Sequence, residues 1–141
     1  MDKAPVEFVK SPRKGILQPQ EIEVFYIIPT LRKYLAIALK ERGMKQTEIA
    51  KLLDIENATV SQYIKGKRGN KVSFNKIIEN EIKRSAQNIN DKISLLRETQ
   101  RLLRMIKHTG ELCAIHKRLS QGIPCDCNPA LTGCFRPLNE Y

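Results

Sequence analysis

From Ile22 onward, apolar residues recur at three- and four-residue steps, at Phe25, Ile28, Leu31, Tyr34, Leu35 and Leu39, the spacing of one buried helix face. Pro29 suits the first turn of that helix better than its interior. Arg42-Gly43 supplies a stop, with a basic residue in the last turn and a glycine for a left-handed cap. The pattern predicts a first helix over about residues 29–42, with 22–28 either an earlier turn or a strand. A second helix, about 46–53, turns Ile49, Ala50 and Leu53 inward. Asp54-Ile55-Glu56 forms a turn plugged by Ile55, and a third helix, about 57–65, buries Val60 and Ile64. Tyr63 reads as a packing residue with its hydroxyl at the surface, which leaves Asn57, Ala58, Thr59, Ser61 and Gln62 on or near the exposed face.

Further along, Ser73 is placed to cap a fourth helix carrying Phe74, Ile77 and Ile78. Ile82, Ala86, Ile89, Ile93, Leu96, Gln100 and Leu103 then alternate four- and three-residue steps, the spacing of a heptad seam. That seam predicts a long helix or two helices packed on a partner, in preference to a stripe that simply packs on its own domain, and Asn88-Ile-Asn-Asp91 is the place where it would break. His108-Thr-Gly110 closes the region, a short helix is expected over about 111–119, and the tail from Ser120 is rich in Gly, Pro and Cys without a period. At the other end, Pro5, Pro12, Pro19 and Gly15 mark an extended basic arm with one short strand around Val6 to Val9. The expected organisation is an arm (1–21), a compact helical unit (22–88), a helical linker and dimerisation segment (89–110), and a Cys-rich region (111–141).

Charge narrows the partner class. Lys and Arg number 25 against 15 Asp and Glu, a net charge of +10, which favours a polyanion. Residues 46–69 read as two short helices joined by a tight turn and followed by a basic loop. The second of them is polar and free of acidic residues, while Lys65, Lys67, Arg68 and Lys71 can neutralise phosphates. Such a helix-turn-helix fits the major groove of double-stranded DNA. No stretch approaches the roughly 20 apolar residues that span a bilayer, and the N-terminus lacks a signal-peptide core, so a cytoplasmic protein without a membrane partner is expected. With two histidines in all, no phosphate-cradling glycine loop and no nucleophile elbow, there is no evident catalytic constellation. Neither an enzyme nor a small-molecule substrate is expected.

Residues 22–72 resemble the helix-turn-helix of the Xre (lambda repressor- and Cro-like) family. The resemblance rests on Gln46-Thr-Glu-Ile-Ala-Lys-Leu-Leu, on Ala58-Thr-Val-Ser-Gln-Tyr-Ile and on Lys65-Gly-Lys-Arg-Gly69, with Ala50, Ile55, Val60 and Gly66 matched jointly. Asp54 departs from it, standing where the family often has Gly. The resemblance implies that Asn57, Ala58 and Gln62 meet base edges: Asn and Gln suit adenine N6 and N7, and Ala58 suits a thymine methyl. Gln46, with Thr47 beside it, matches a phosphate contact at a helix N-terminus. Thr59 and Ser61 fall at phosphates or the groove edge, and Lys65, Lys67 and Arg68 hold position on the backbone.

Cys113, Cys125, Cys127 and Cys134 are all in the C-terminal region. In a reducing compartment such a cluster points to a metal or redox site more than to disulfides. Four thiolates fit an iron–sulfur cluster of the 4Fe–4S or 2Fe–2S kind, or tetrahedral zinc. The spacing lacks zinc's paired knuckles, and loops with Gly122, Pro124, Pro129 and Gly133 suit a larger inorganic core, so the cluster is favoured and zinc is the alternative. His116 reads as a neighbour under the first and, as Cys113-x-x-His116, as a ligand under the second, with one cysteine then spare. Cys-bearing extensions also occur in archaeal regulators of this type that the chain resembles. The sequence therefore predicts an all-α protein with a helix-turn-helix DNA-binding domain, a helical dimerisation segment and a small Cys-rich metal- or cluster-binding tail. Its expected function is that of a homodimeric regulator on a palindromic operator, with DNA binding modulated by an iron–sulfur cluster. The competing expectation is a zinc-stabilised DNA-binding or transcription-adaptor protein without redox sensing.

Overall fold

The computed structural model describes residues 15–120, 122–123 and 127–135, and every regular element among them is helical. The expected arm strand at Val6 to Val9 and the cysteine at position 125 lie outside the described residues. A helical rod opens the fold: α1 (Pro19–Ile22), a π-turn (Glu23–Ile27) and α2 (Ile28–Arg42) follow without a break. Pro29 accounts for the π-turn. It has no N–H to donate to the carbonyl four residues back, and its ring would press on that carbonyl in a regular helix. The chain widens by one residue instead, so that the Ile28 N–H reaches the Glu23 carbonyl. Thr30, one residue after the proline, donates its hydroxyl to the Tyr26 carbonyl at 2.7 Å. The segment 22–28 is therefore helical rather than a strand, and the first helix begins about ten residues before Pro29.

Leu31, Leu35, Ala36 and Leu39 on α2 are buried, together with Ile22 and Ile27 from the preceding turns. This rod packs against α3 (Gln46–Leu53), α4 (Asn57–Ile64) and α5 (Lys76–Ala86). Cutting Leu35 back to Ala would cost about 2–5 kcal/mol, the usual range for a buried leucine. Gly43 ends the rod at φ 111°, and the Met44 N–H closes back on Leu39 at 3.0 Å, the left-handed cap that Arg42-Gly43 foretold.

The heptad seam forms two helices, with the break in the expected 88–91 stretch. α5 stops at Ala86 and α6 (Lys92–His108) starts after a turn capped by Asp91, whose carboxylate accepts from the Ser94 N–H at 2.8 Å. Arg42 fixes that turn. Its guanidinium donates to the Ala86 carbonyl at 2.8 Å, to the Ile89 carbonyl, and to Asn90 Oδ1 at 2.9 Å, so a cation meets the negative end of α5. Ile82, Ala86, Ile89 and Leu103 pack into the chain's own core, whereas Ile93 and Leu96 stand 55% and 57% exposed. The two helices are then tied by Arg101, which reaches Glu81 at 3.0 Å and Glu98 at 3.1 Å. α7 (Glu111–Leu119) returns against α1, and a single turn, α8 (Pro129–Thr132), precedes Cys134, which is buried in the same hydrophobic cluster as Leu17 and Leu112.

The fourth helix also starts later than expected. Ser73 is exposed and Phe74 precedes the helix, its ring 5.2 Å from that of Tyr34. The cap is Asn75, whose side-chain oxygen accepts from the Ile78 N–H at 3.0 Å, while its amide donates to Glu111 on α7 at 3.0 Å. Ile77 points outward and Ile78 inward. Asn75→Ala is expected to lower unfolding stability by about 1 kcal/mol through the lost cap, read as a shift in the urea midpoint, whereas Ser73→Ala should leave the midpoint in place.

Candidate DNA interface and thiol–imidazole cluster

α3 and α4 cross through small and branched apolar contacts. Ile49, Ala50, Leu52 and Leu53 are buried on the first, Val60 and Tyr63 on the second. The expected inward role of Ile64 belongs to Tyr63: Ile64 is 36% exposed at the last turn, and the Tyr63 ring, 5% exposed, fills the core. Burial pushes the Tyr63 phenol up in pKa, against the opposing pull of the Arg32 and Arg68 charges. The turn between the helices runs through Asp54, which takes the left-handed conformation at φ 55° and ψ 44°. The glycine-like geometry is thus kept with an aspartate, one of the few side chains that tolerate it. Its carboxylate pairs with Lys92 at the start of α6, and the Ile55 N–H closes on Ala50 at 3.0 Å.

Asn57, Ala58 and Gln62 are exposed along one side of α4, with Thr59 and Ser61 half-buried beside them. Gln46, half-buried at the N-terminus of α3, donates from its amide to the Asn57 carbonyl at 3.2 Å, and Thr47 is exposed next to it. This bond spans the turn and fixes the start of α4 relative to α3. Beyond α4, the Lys67 N–H returns to Gln62 at 2.8 Å and Gly66 takes φ 75°. Lys65 and Lys67 are exposed, while Arg68 is half-buried and donates to the Thr59 hydroxyl at 3.3 Å. The loop is held to the rod through Lys33, which donates to Asn70 at 2.6 Å. All ten sequence-predicted interface residues therefore fall on α3, α4 and the loop that follows, and none is fully buried.

The C-terminal residues converge only in part. His116, 3% exposed, places Nε2 2.6 Å from the Leu17 carbonyl and Nδ1 3.1 Å from Cys134 Sγ. Ser120 accepts from the Leu17 N–H at 2.7 Å, so α7 holds the entry to α1 by two bonds. The Cys134 thiol is pushed up in pKa by burial and then by the charges of Cys113 and Cys127, against a hydrogen bond from Thr132 and the Lys107 charge. Cys113 is half-buried, and Cys127 is half-buried with Sγ 3.4 Å from the Thr132 hydroxyl. Among the described residues, no three His, Cys, Asp or Glu side chains are yet gathered at ion-binding distance. The donors present, soft sulfurs beside an imidazole nitrogen, are of the type that binds zinc. What the sequence understated is His116, because its partner Leu17 is distant along the chain.

The class defined by α3, the left-handed turn at Asp54 and α4 is the helix-turn-helix. A family model described as Helix-turn-helix matches residues 35–71, from the middle of α2 to the end of the basic loop. No curated protein and no solved structure matches the chain. Among the described residues no helix is long and apolar enough to cross a membrane.

Two substitutions test this local geometry. Gly69 sits at φ 78°, and a Cβ there would lie 2.9 Å from Lys33 Cβ, so Gly69→Ala should cost about 1 kcal/mol or more and loosen the loop, seen as a lower thermal midpoint. Asp54→Gly should hold or raise the midpoint, because the left-handed backbone is relieved and the exposed Lys92 pair is worth at most ~1 kcal/mol. Asp54→Val should lower stability by about 1–2 kcal/mol.

Proposed function

We propose that the protein is a sequence-specific regulator of transcription that binds double-stranded DNA through α4 as a homodimer, each copy reading one half of a palindromic site. The observation that carries this reading is the exposed, acid-free row Asn57, Ala58 and Gln62, set between the Gln46 brace and the basic loop. Asn57 and Gln62 present amides that can pair with adenine, and Ala58 offers a methyl contact to thymine. Gln46, Thr47, Thr59 and Ser61 fall where groove walls and phosphates run, and Lys65, Lys67 and Arg68 neutralise the backbone. One eight-residue helix reads too few bases to select a site, so two copies spaced by about one DNA turn, ~34 Å, are required. Ile93 and Leu96 are the heptad-seam apolar residues left outside the core for the contact between copies.

In this reading the C-terminal thiol region carries a metal group that modulates DNA binding. The support is the 3.1 Å pairing of His116 with Cys134 and the position of Cys113 three residues before His116 on α7. The four-cysteine set that favours an iron–sulfur cluster includes Cys125, which lies outside the described residues.

Binding isotherms on a selected site and on random duplex separate the roles. Gln62→Ala should cost about 1–3 kcal/mol on the selected site and relax preference at one base position. Lys67→Ala should weaken both duplexes alike and flatten the dependence of affinity on salt. Equal losses on both duplexes for Gln62→Ala would remove it from the readers.

A further inference from the structure

His116 is buried with both ring nitrogens in contact, one with a backbone carbonyl and one with a cysteine. A carbonyl has no proton to give, so the 2.6 Å contact with Leu17 is made by an Nε2–H that donates to it. Nδ1 is then the nitrogen turned to Cys134 Sγ, 3.1 Å away. An imidazole whose one nitrogen is locked onto a backbone carbonyl while the other accepts from a cysteine thiol has the geometry of a metal-ligating histidine and its supporting shell, once the thiol gives up its proton. Two ligands of a single tetrahedral zinc, with bonds of ~2.0 Å to nitrogen and ~2.3 Å to sulfur, lie ~3.6 Å apart. An opening of a few tenths of an ångström would seat the ion between them.

Two further sulfurs lie on the segments that carry this pair and would have to close onto it to complete the set. Cys113 and His116 are three residues apart on α7, which puts them on one face of the helix. Cys127 precedes α8, which leads directly to Cys134, and its sulfur lies 3.4 Å from the Thr132 hydroxyl. We propose that Cys113, His116 through Nδ1, Cys127 and Cys134 close around one zinc ion as a three-cysteine, one-histidine site, four ligands that fill a tetrahedral shell. Three thiolates and one imidazole form one of the recurrent structural zinc sets, whereas iron–sulfur clusters are held by cysteines. This inference rests on the reading of the C-terminal region as metal-binding and gives that region a different metal and ligand set from four cysteines.

The consequence is mechanical. The ion would join α7 and the segment around α8 at one point, with His116 carrying the linkage to Leu17, two residues before the rod of α1, π-turn and α2 begins. Since α2 packs directly on α4, zinc would anchor the near end of the element that seats the recognition helix.

The test uses the full chain, reduced and stripped with a chelator, then titrated with cobalt(II) as a spectroscopic stand-in for zinc and with zinc in competition. The expected result is one ion per chain, the visible bands of tetrahedral cobalt, and a sulfur-to-metal charge-transfer band of three-thiolate intensity. His116→Gln, Cys113→Ser, Cys127→Ser and Cys134→Ser should each weaken binding by about 100-fold or more, beyond the ~10–100-fold of a supporting-shell loss. Cys125→Ser should bind like the unaltered chain. Because a substitution at buried His116 could unfold its surroundings, imidazole nitrogen NMR of the unaltered chain is the second measurement. Zinc should shift Nδ1 of His116 while Nε2 keeps its proton. A brown, iron-containing protein that needs Cys125 and survives His116→Gln would overturn this ligand set while leaving the region metal-binding. Failure to take up zinc, cobalt or iron stoichiometrically would overturn both.

Discussion

The helical rod from Pro19 to Arg42 is the constraint on which the remaining structure depends. Its buried face of Ile22, Ile27, Leu31, Leu35 and Leu39 supplies the surface for α3, α4, α5 and α7. The rod stays unbroken through Pro29 only because one π-turn absorbs the missing donor. Its two ends are then fastened by hydrogen bonds to residues remote in sequence. At the start, His116 and Ser120 hold Leu17. At the end, Arg42 gathers the last carbonyls of α5 and the turn that launches α6. A single element thereby registers the helix-turn-helix, the α5–α6 pair and the cysteine-bearing end against one another.

The helix-turn-helix was legible because short-range chemistry determines it. α3 at 46–53, α4 from Asn57, the Gly43 cap and α7 at 111–119 all follow from residue type and spacing. Where tertiary contact decides, the pattern misleads. Ile64 has the right spacing to be buried, but α4 ends there and Tyr63 turns inward instead. Ser73 and Asn75 are both good caps, and the placing of Phe74 against Tyr34 moves the helix start to the second. The heptad pattern runs across residues 82–103 and breaks at the expected 88–91 stretch, where Asp91 caps a new helix and Arg42 ties the turn, but four of its seven positions face the chain's own core where the seam predicts a partner.

For the candidate sites the same division holds. The ten residues expected at the DNA interface sit on or beside α4 because the spacing of a helix-turn-helix carries its own geometry. The Gln46 bond to the Asn57 carbonyl adds what spacing could not supply, a brace across the turn in place of a phosphate contact alone. At the C-terminal end, sequence spacing ranks four cysteines together, whereas the fold singles out the histidine between them. The partner that orients His116 lies near the other end of the chain, and no local pattern reports such a contact.

The central claim, that α4 reads DNA sequence, is tested most directly by selecting binding sites for the full chain from a pool of random duplexes at physiological salt. The account predicts enrichment of one palindromic motif, with half-sites about one helical turn apart and adenine–thymine pairs where Asn57, Ala58 and Gln62 would lie. Retention of the pool without enrichment, at an affinity governed by salt alone, would contradict it.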